Sequence, residues 1–167
     1  YLVFRIENEN FHEEAFELLE IMKHQPSGSY LVELQLTSNF LDNIIKIRTV
    51  KSLYNHLEAS QTQLDRKFLI RGLVSKYPKG TTFEEDIVYA TLMMMSALLA
   101  SVDEININPS EKATNNEDFA RRITRNLHHL AIEEGRLGLV NDPLRGSYHI
   151  ENETAILTEK IWNKFIG

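Results

Sequence analysis

Segments of β-type pattern alternate with segments of helical period along this chain of 167 residues, and that alternation restricts it to a small set of folds. Leu2-Val3-Phe4-Arg5-Ile6 is rich in β-forming residues. Phe11, Ala15, Leu18, Leu19 and Met22 follow at helical spacing, with Glu13, Glu14, Glu17 and Glu20 towards water. After the turn cluster Gln25-Pro26-Ser27-Gly28-Ser29, Val32, Leu34 and Leu36 alternate with Glu33 and Gln35, which predicts a strand from Tyr30 to Leu36. Ser38 is placed to cap a helix that reaches about Glu58 through Phe40, Leu41, Ile44, Ile47, Val50, Leu53 and Leu57. A third strand is centred on Phe68-Leu69-Ile70. Thr82, followed three residues on by Glu85, forms a capping box for a helix to about Ala100. That helix is apolar round most of its circumference, so it must be packed on more than one side. Ile105 and Ile107 flank Asn106 in a short strand. Asn115 or Asn116 starts a long helix that Gly135 ends. Asp142-Pro143 to Gly146 is a turn, Tyr148 to Ile150 extends briefly, and Thr154 to Ile166 is a final amphipathic helix.

Strands that alternate with helices imply βαβ units and a mainly parallel sheet. A closed eight-stranded barrel usually takes about 250 residues. The expected fold is therefore α/β: a partial (β/α) barrel of the TIM type, with four or five mainly parallel strands and an extra C-terminal helix. Residues 1–167 are expected to form a single domain, a fragment of a (β/α)8 barrel. The start at Tyr1 and the abrupt end at Gly167 predict a fragment of a longer chain. Acidic residues number 24 against 18 Lys and Arg, a net charge of −6, which argues against a general binder of nucleic acid. The chain has no cysteine. That excludes disulfide scaffolds, thiol catalysis and Cys-bound zinc, and agrees with a cytoplasmic location. The longest apolar run, Ala90 to Ala100, falls short of the roughly 20 residues a membrane span needs.

Few constellations suggest chemistry. His129 and Glu133 lie four apart beside His128 and Glu134, so a metal could sit on that helix face, but no third ligand follows from the spacing. The plain alternative is a solvated polar pair. Lys76, Lys79 and Gly80 lie between a strand and a helix, where phosphates bind in α/β folds, yet neither the P-loop nor the dinucleotide glycine pattern is present. The alternative there is a basic surface loop. Arg121, Arg122 and Arg125, balanced by Glu117 and Asp118, read as a salt-bridged surface. Met93-Met94-Met95 reads as adaptable core.

Residues 120–154 read ARRITRNLHHLAIEEGRLGLVNDPLRGSYHIENET. This stretch resembles the closing segment of the coenzyme A-binding barrel in the methylmalonyl-CoA mutase family, which runs R-I-A-R-N, then E-E-S, then V-x-D-P-x-x-G-S-Y or -W, then V-E-x-L-T. The matching residues are Arg122, Ile123, Arg125, Asn126, Glu133, Glu134, Val140, Asp142, Pro143, Gly146, Ser147, Tyr148, Glu151 and Thr154. Upstream, Asn39-Phe40 through Ile45-Lys46-Ile47-Arg48 to Leu53-Tyr54 is similar to the family's I-A-K-x-R-A-x-R-R-L-W helix. Arg71 is similar to the Arg of the strand R-A-H-x-Q-T-S, and Asp103 to Ala113 stands in the place of T-Q-S-L-H-T-N-x-x-D-E-A. The resemblance covers about residues 38–167.

The departures fall where catalytic chains hold their cofactor. Leu73 and Ser75 stand at the positions of the His and Gln that such chains present to cobalamin. Met93 replaces a cofactor-facing Glu, and Asn106-Ile107-Asn108 replaces H-T-N. The resemblance thus implies a fragment of the non-catalytic small, or beta, subunit of an adenosylcobalamin-dependent mutase of propionate metabolism. Such a chain belongs to an isomerase family but does not itself catalyse. It binds no cofactor and no metal. Its partner in a heterodimer is the catalytic large subunit, which carries adenosylcobalamin and interconverts methylmalonyl-CoA and succinyl-CoA. Neither nucleic acid nor membrane is expected as a partner. Leu34, Leu36, Ile70, Ile105 and Ile107 are expected to fill the barrel interior. Two other readings stand beside this one: a catalytic fragment of a related acyl-CoA mutase, and a free-standing α/β module that binds a phosphorylated small molecule at Lys76–Thr82. The stretch Asp142–Tyr148 is expected to be a structural corner. In it Asp142 accepts backbone N–H bonds, Gly146 takes a positive φ, and Tyr148 is buried with its hydroxyl paired.

Overall fold

The computed structural model describes residues 1–25, 28–60, 66–112, 117–140 and 142–167. Four strands, β1 (Leu2–Ile6), β2 (Gly28–Gln35), β3 (Arg66–Val74) and β4 (Glu104–Ile107), form one sheet in the order β1-β2-β3-β4. Every neighbouring pair is parallel. Helices α1 (Phe11–His24), α2 (Phe40–Ser60) and α3 (Phe83–Leu99) join successive strands. They pack side by side, α1 on α2 and α2 on α3, and so share one face of the sheet. Right-handed crossovers between strands laid down in sequence order produce this arrangement. It is the geometry of a barrel segment and agrees with the predicted class. Beyond β4 come α4 (Glu117–His129), a π-helical turn (Leu130–Glu134) and α5 (Tyr148–Ile166), which lies across α1 and α2 as an outer layer.

Alternation along the strands decides what enters the core. Ile6, Tyr30, Val32, Leu34, Leu36, Ile70, Val74 and Ile107 bury their side chains in one cluster with Leu18, Leu19, Ile44, Ile47, Leu53, Met93, Met94 and Ala97 of the helices. Ile105 packs against the same cluster. The expectation that Leu34, Leu36, Ile70, Ile105 and Ile107 fill the barrel interior is therefore corrected: these residues face the helix layer. The physical reason is that three helices offer far more apolar area than the opposite face, so the bulkier alternate set goes to them. β3 passes close beneath α3 at Gly72. A Cβ there would stand 3.1 Å from Cβ of Ala97 and 3.2 Å from Cδ1 of Leu36.

The helix termini mostly follow local chemistry. The capping box of α3 is complete, with the Thr82 hydroxyl accepting from the Glu85 N–H and the Glu85 carboxylate accepting from the Thr82 N–H. At α2 the cap is Asn39 and not Ser38: Oδ1 of Asn39 accepts from the N–H of Asp42 at 3.3 Å. The predicted starts at Asn115 or Asn116 lie outside the described residues. The helix after them loses its α geometry at Leu130, and Gly135 ends the π turn through a 2.8 Å bond from its N–H to the Leu130 carbonyl. α5 begins at Tyr148, earlier than predicted, because Ile150 continues the buried stripe of Thr158 and Ile161. No helix among the described residues is long and apolar enough to cross a membrane.

Candidate functional site

The sheet face turned away from the helices carries a row of charges across all four strands. The register aligns Arg5 with Glu33, Glu33 with Arg71, and Arg71 with Glu104. Arg5 donates to Oε2 of Glu33 from Nη2 at 2.8 Å and from Nε at 3.2 Å. Arg71 donates to Oε1 of Glu33 at 2.8 Å and reaches Oε2 of Glu104 from Nε at 2.8 Å and from Nη2 at 2.5 Å. Hydrogen bonds from Arg5 and then Arg71 overcome the burial of Glu33 and hold its carboxyl below the usual carboxylate range. Arg71, the residue similar to the family's strand arginine, is thus engaged by two carboxylates and offers no open fork to an anion.

The next row towards the C-terminal strand ends holds Gln35, Leu73 and Asn106 in register. Gln35 is buried, donates to the Leu36 carbonyl and accepts from the Ser75 hydroxyl. Leu73 is buried beside it. Parallel sheets bind ligands outside these strand ends, and a cleft of about 320 Å³ lies there, with Asn8, Gln35, Thr37, Lys76 and Tyr77 among its lining residues. Lys76 is not a free cation: its Nζ lies 2.6 Å from Oε2 of Glu7. The helix that follows opens with Glu84, Glu85 and Asp86. These contacts oppose an anion at Lys76, Lys79 and Gly80. Met93 and Met94 are buried in the core between α3 and the sheet, as the reading of Met93-Met94-Met95 as core expects, so Met93 does not face the strand-end cleft as the family position it replaces implied.

Two polar clusters that sequence reasoning missed hold these strand-end loops. Asn43 is fully buried. It accepts from the Thr37 N–H at 2.9 Å, donates to the Thr37 carbonyl at 2.8 Å, and donates to the Ser96 hydroxyl at 3.0 Å, which ties the β2–α2 loop to α3. Asp86 is the second. Burial would raise its carboxyl, but bonds from Ser110, Thr81 and Lys112, together with the Lys112 charge, outweigh that and hold it below its ordinary value. Beside it the Tyr77 hydroxyl donates to the Asn108 carbonyl at 2.6 Å. Burial and the Asp86 charge push that hydroxyl up to about 12. The signal in the sequence was an Asp and an Asn at inward positions of otherwise apolar helices.

The family-like stretch lies elsewhere. Asp142 docks at the opposite end of the sheet, beside the α3–β4 connection: its N–H donates to the Ser101 hydroxyl at 3.3 Å and its carboxylate accepts from the Arg48 guanidinium. Its expected backbone partners are thus corrected to an arginine, because Arg48 on α2 brings a charged donor within reach of the carboxylate; the Asp142 backbone itself is left-handed, with φ 51°. Gly146 takes the expected positive φ, 88°. Its N–H donates to Oε1 of Glu151 at 2.7 Å, while Ser147 is the N-cap residue of α5. Tyr148 is 83% exposed and not buried, since the first turn of α5 turns it outward. Arg122, Arg125, Asn126, Glu133, Glu134 and Pro143 are exposed as well. Arg122 stacks over the Phe119 ring. His129 and Glu133 gain no third ligand: among the described residues no group of three metal-binding side chains occurs.

Residues 26–166 match the sequence model of the methylmalonyl-CoA mutase family. The methylmalonyl-CoA mutase small subunit of Propionibacterium freudenreichii subsp. shermanii is 33% identical over 82 residues, 48% of this chain and 13% of that protein. The small subunit of Streptomyces virginiae is 31% identical over 81 residues, again 48% of this chain and 13% of the relative. A methylmalonyl-CoA mutase of Cereibacter sphaeroides is 35% identical over 78 residues, 46% of this chain and 11% of the relative. The matched stretch thus spans about an eighth of the length of these curated relatives.

Proposed function

The chain belongs to the methylmalonyl-CoA mutase family, and from that premise we propose that it is part of the non-catalytic small subunit of an adenosylcobalamin-dependent mutase. Its role is to support the large subunit, which interconverts methylmalonyl-CoA and succinyl-CoA in the cytoplasm. The observation that carries this reading is the C-terminal end of β3. Leu73 presents hydrocarbon where the family's catalytic chains present a polar cofactor contact, and the Ser75 hydroxyl is spent on Gln35. The row Arg5–Glu33–Arg71–Glu104 lies directly below and binds its own charges to one another. Such residues do not fit a corrin, which needs polar contacts at this strand end. Names of the small-subunit relatives support the same reading.

A second reading, a catalytic fragment of a related acyl-CoA mutase, is favoured by the relative named simply as the mutase. Titration of the purified chain with adenosylcobalamin, followed by absorbance, separates the two. The small-subunit reading expects no stoichiometric spectral change, no turnover of methylmalonyl-CoA, and co-purification with a large subunit. Stoichiometric cobalamin binding would overturn it in favour of the second.

A further inference from the structure

Lys112 carries its ammonium into a cage of oxygens built by the loop after β3 and the first turn of α3. Its Nζ lies 3.0 Å from Oδ1 of Asp86 and 3.3 Å from the Pro78 carbonyl oxygen, and it also donates to Oγ1 of Thr81. Thr81 Oγ1 is itself 2.8 Å from the Pro78 carbonyl and 2.5 Å from Oδ1 of Asp86, so three oxygens converge on one point. The other carboxylate oxygen of Asp86 accepts from the Ser110 hydroxyl, which in turn accepts from the Lys112 N–H at 3.2 Å. The Asp86 side chain is wholly out of solvent, whereas that of Lys112 is 36% exposed. The lysine therefore enters from the rim, and a path to water leads along its stem.

A buried carboxylate without a counter-charge is strongly unfavourable. One carboxylate, one hydroxyl and one carbonyl make a hard-oxygen donor set with a single negative charge. Such a set balances one positive charge and leaves a divalent ion in excess. We propose that Pro78, Thr81 and Asp86 form a monovalent-cation site whose occupant in this protein is the tethered ammonium of Lys112, and that without that side chain the site takes ammonium or potassium from solution. The cation locks two strand-end loops together, because Pro78 and Thr81 follow β3 whereas Ser110 and Lys112 follow β4. This rests on the geometry of the cluster and not on the subunit assignment.

Chemical rescue tests it. Melting temperatures of the parent, Lys112→Met and Asp86→Asn/Lys112→Met are measured in ammonium, potassium and tetramethylammonium chlorides at equal ionic strength. The parent should melt alike in all three. Lys112→Met should melt lower by on the order of 10 °C in tetramethylammonium chloride. Ammonium or potassium should restore at least half of that loss with saturating dependence on concentration, and the double variant should show no such restoration. A Lys112→Met chain too unstable to melt should instead refold on addition of ammonium, followed by circular dichroism. The proposal is overturned if Lys112→Met is as stable as the parent. It is equally overturned if both Lys112→Met and Lys112→Ala, which leaves more room, lose the same stability in every salt.

Discussion

Arg48 on α2 donates to the carboxylate of Asp142, 94 positions further along the chain, and so fastens the family-like loop to the helix layer. Arg48 is largely buried, while the Asp142 side chain is 38% exposed, so solvent screens part of the attraction. Asp142→Asn keeps a side chain that tolerates the left-handed backbone and removes only the charge. It should cost about 1 kcal/mol in urea unfolding. In a double-mutant cycle with Arg48→Ala the coupling should account for most of that loss. Additive effects would show that the pair does not hold the loop.

Gly146 sits at φ 88° with no atom within 4 Å of a Cβ built on it. The objection to a side chain there is backbone strain and not crowding. Gly146→Val should cost roughly 1–3 kcal/mol and lower the melting temperature. Tyr148→Ala, two positions on, should change stability by less than about 0.5 kcal/mol because the ring is in water. Equal effects of the two substitutions would contradict this division.

Gly72 presents the opposite case, with an ordinary φ but a crowded position. A methyl group there meets Ala97 and Leu36 inside 3.3 Å, and a packed core resists such insertion by about 1–3 kcal/mol. Gly72→Ala should unfold at lower urea than the parent, and Ala97→Gly added to it should recover part of the loss by making room. An unchanged midpoint for Gly72→Ala would mean that α3 is free to move away from β3.

Glu33 makes acid stability testable. Its carboxyl is held below the usual range by Arg5 and then Arg71. A folded-state pKa depressed in this way contributes stability that is present above the unfolded value of about 4.3 and is lost as pH falls through the folded value. The parent should therefore lose stability more steeply than Glu33→Gln between about pH 5 and pH 3. Parallel curves from urea midpoints would remove the charge row from the stability of the sheet.

Much of the fold can be read from local pattern. The capping box at Thr82 and Glu85 satisfies backbone groups within its own turn, so it appears as predicted. The order of strands and helices follows from periods of about 2 and 3.6 residues, which each segment displays alone. Local pattern failed where a choice depended on distant partners. Asn39 displaced Ser38 as a cap, and α5 started at Tyr148 because Ile150 had the core to pack against. Ile105 and Ile107 turned to the helices, a face that period alone does not distinguish from the other.

The alternating parallel architecture, the family and the place of the family-like loop along the chain are all legible in the order of residues alone. These depend on spacing and residue type along the chain. Tertiary structure alone decided that Arg5, Glu33, Arg71 and Glu104 form one row, that Asn43 reaches Ser96, and that Lys112 closes on Asp86. Those pairs are separated by 26 to 53 positions and meet only through strand register and helix packing. A charged side chain looks the same in a sequence whether it ends in water or beside a buried counter-charge. The difference is set by which surfaces fold over it and by the cost of leaving a charge there unpaired.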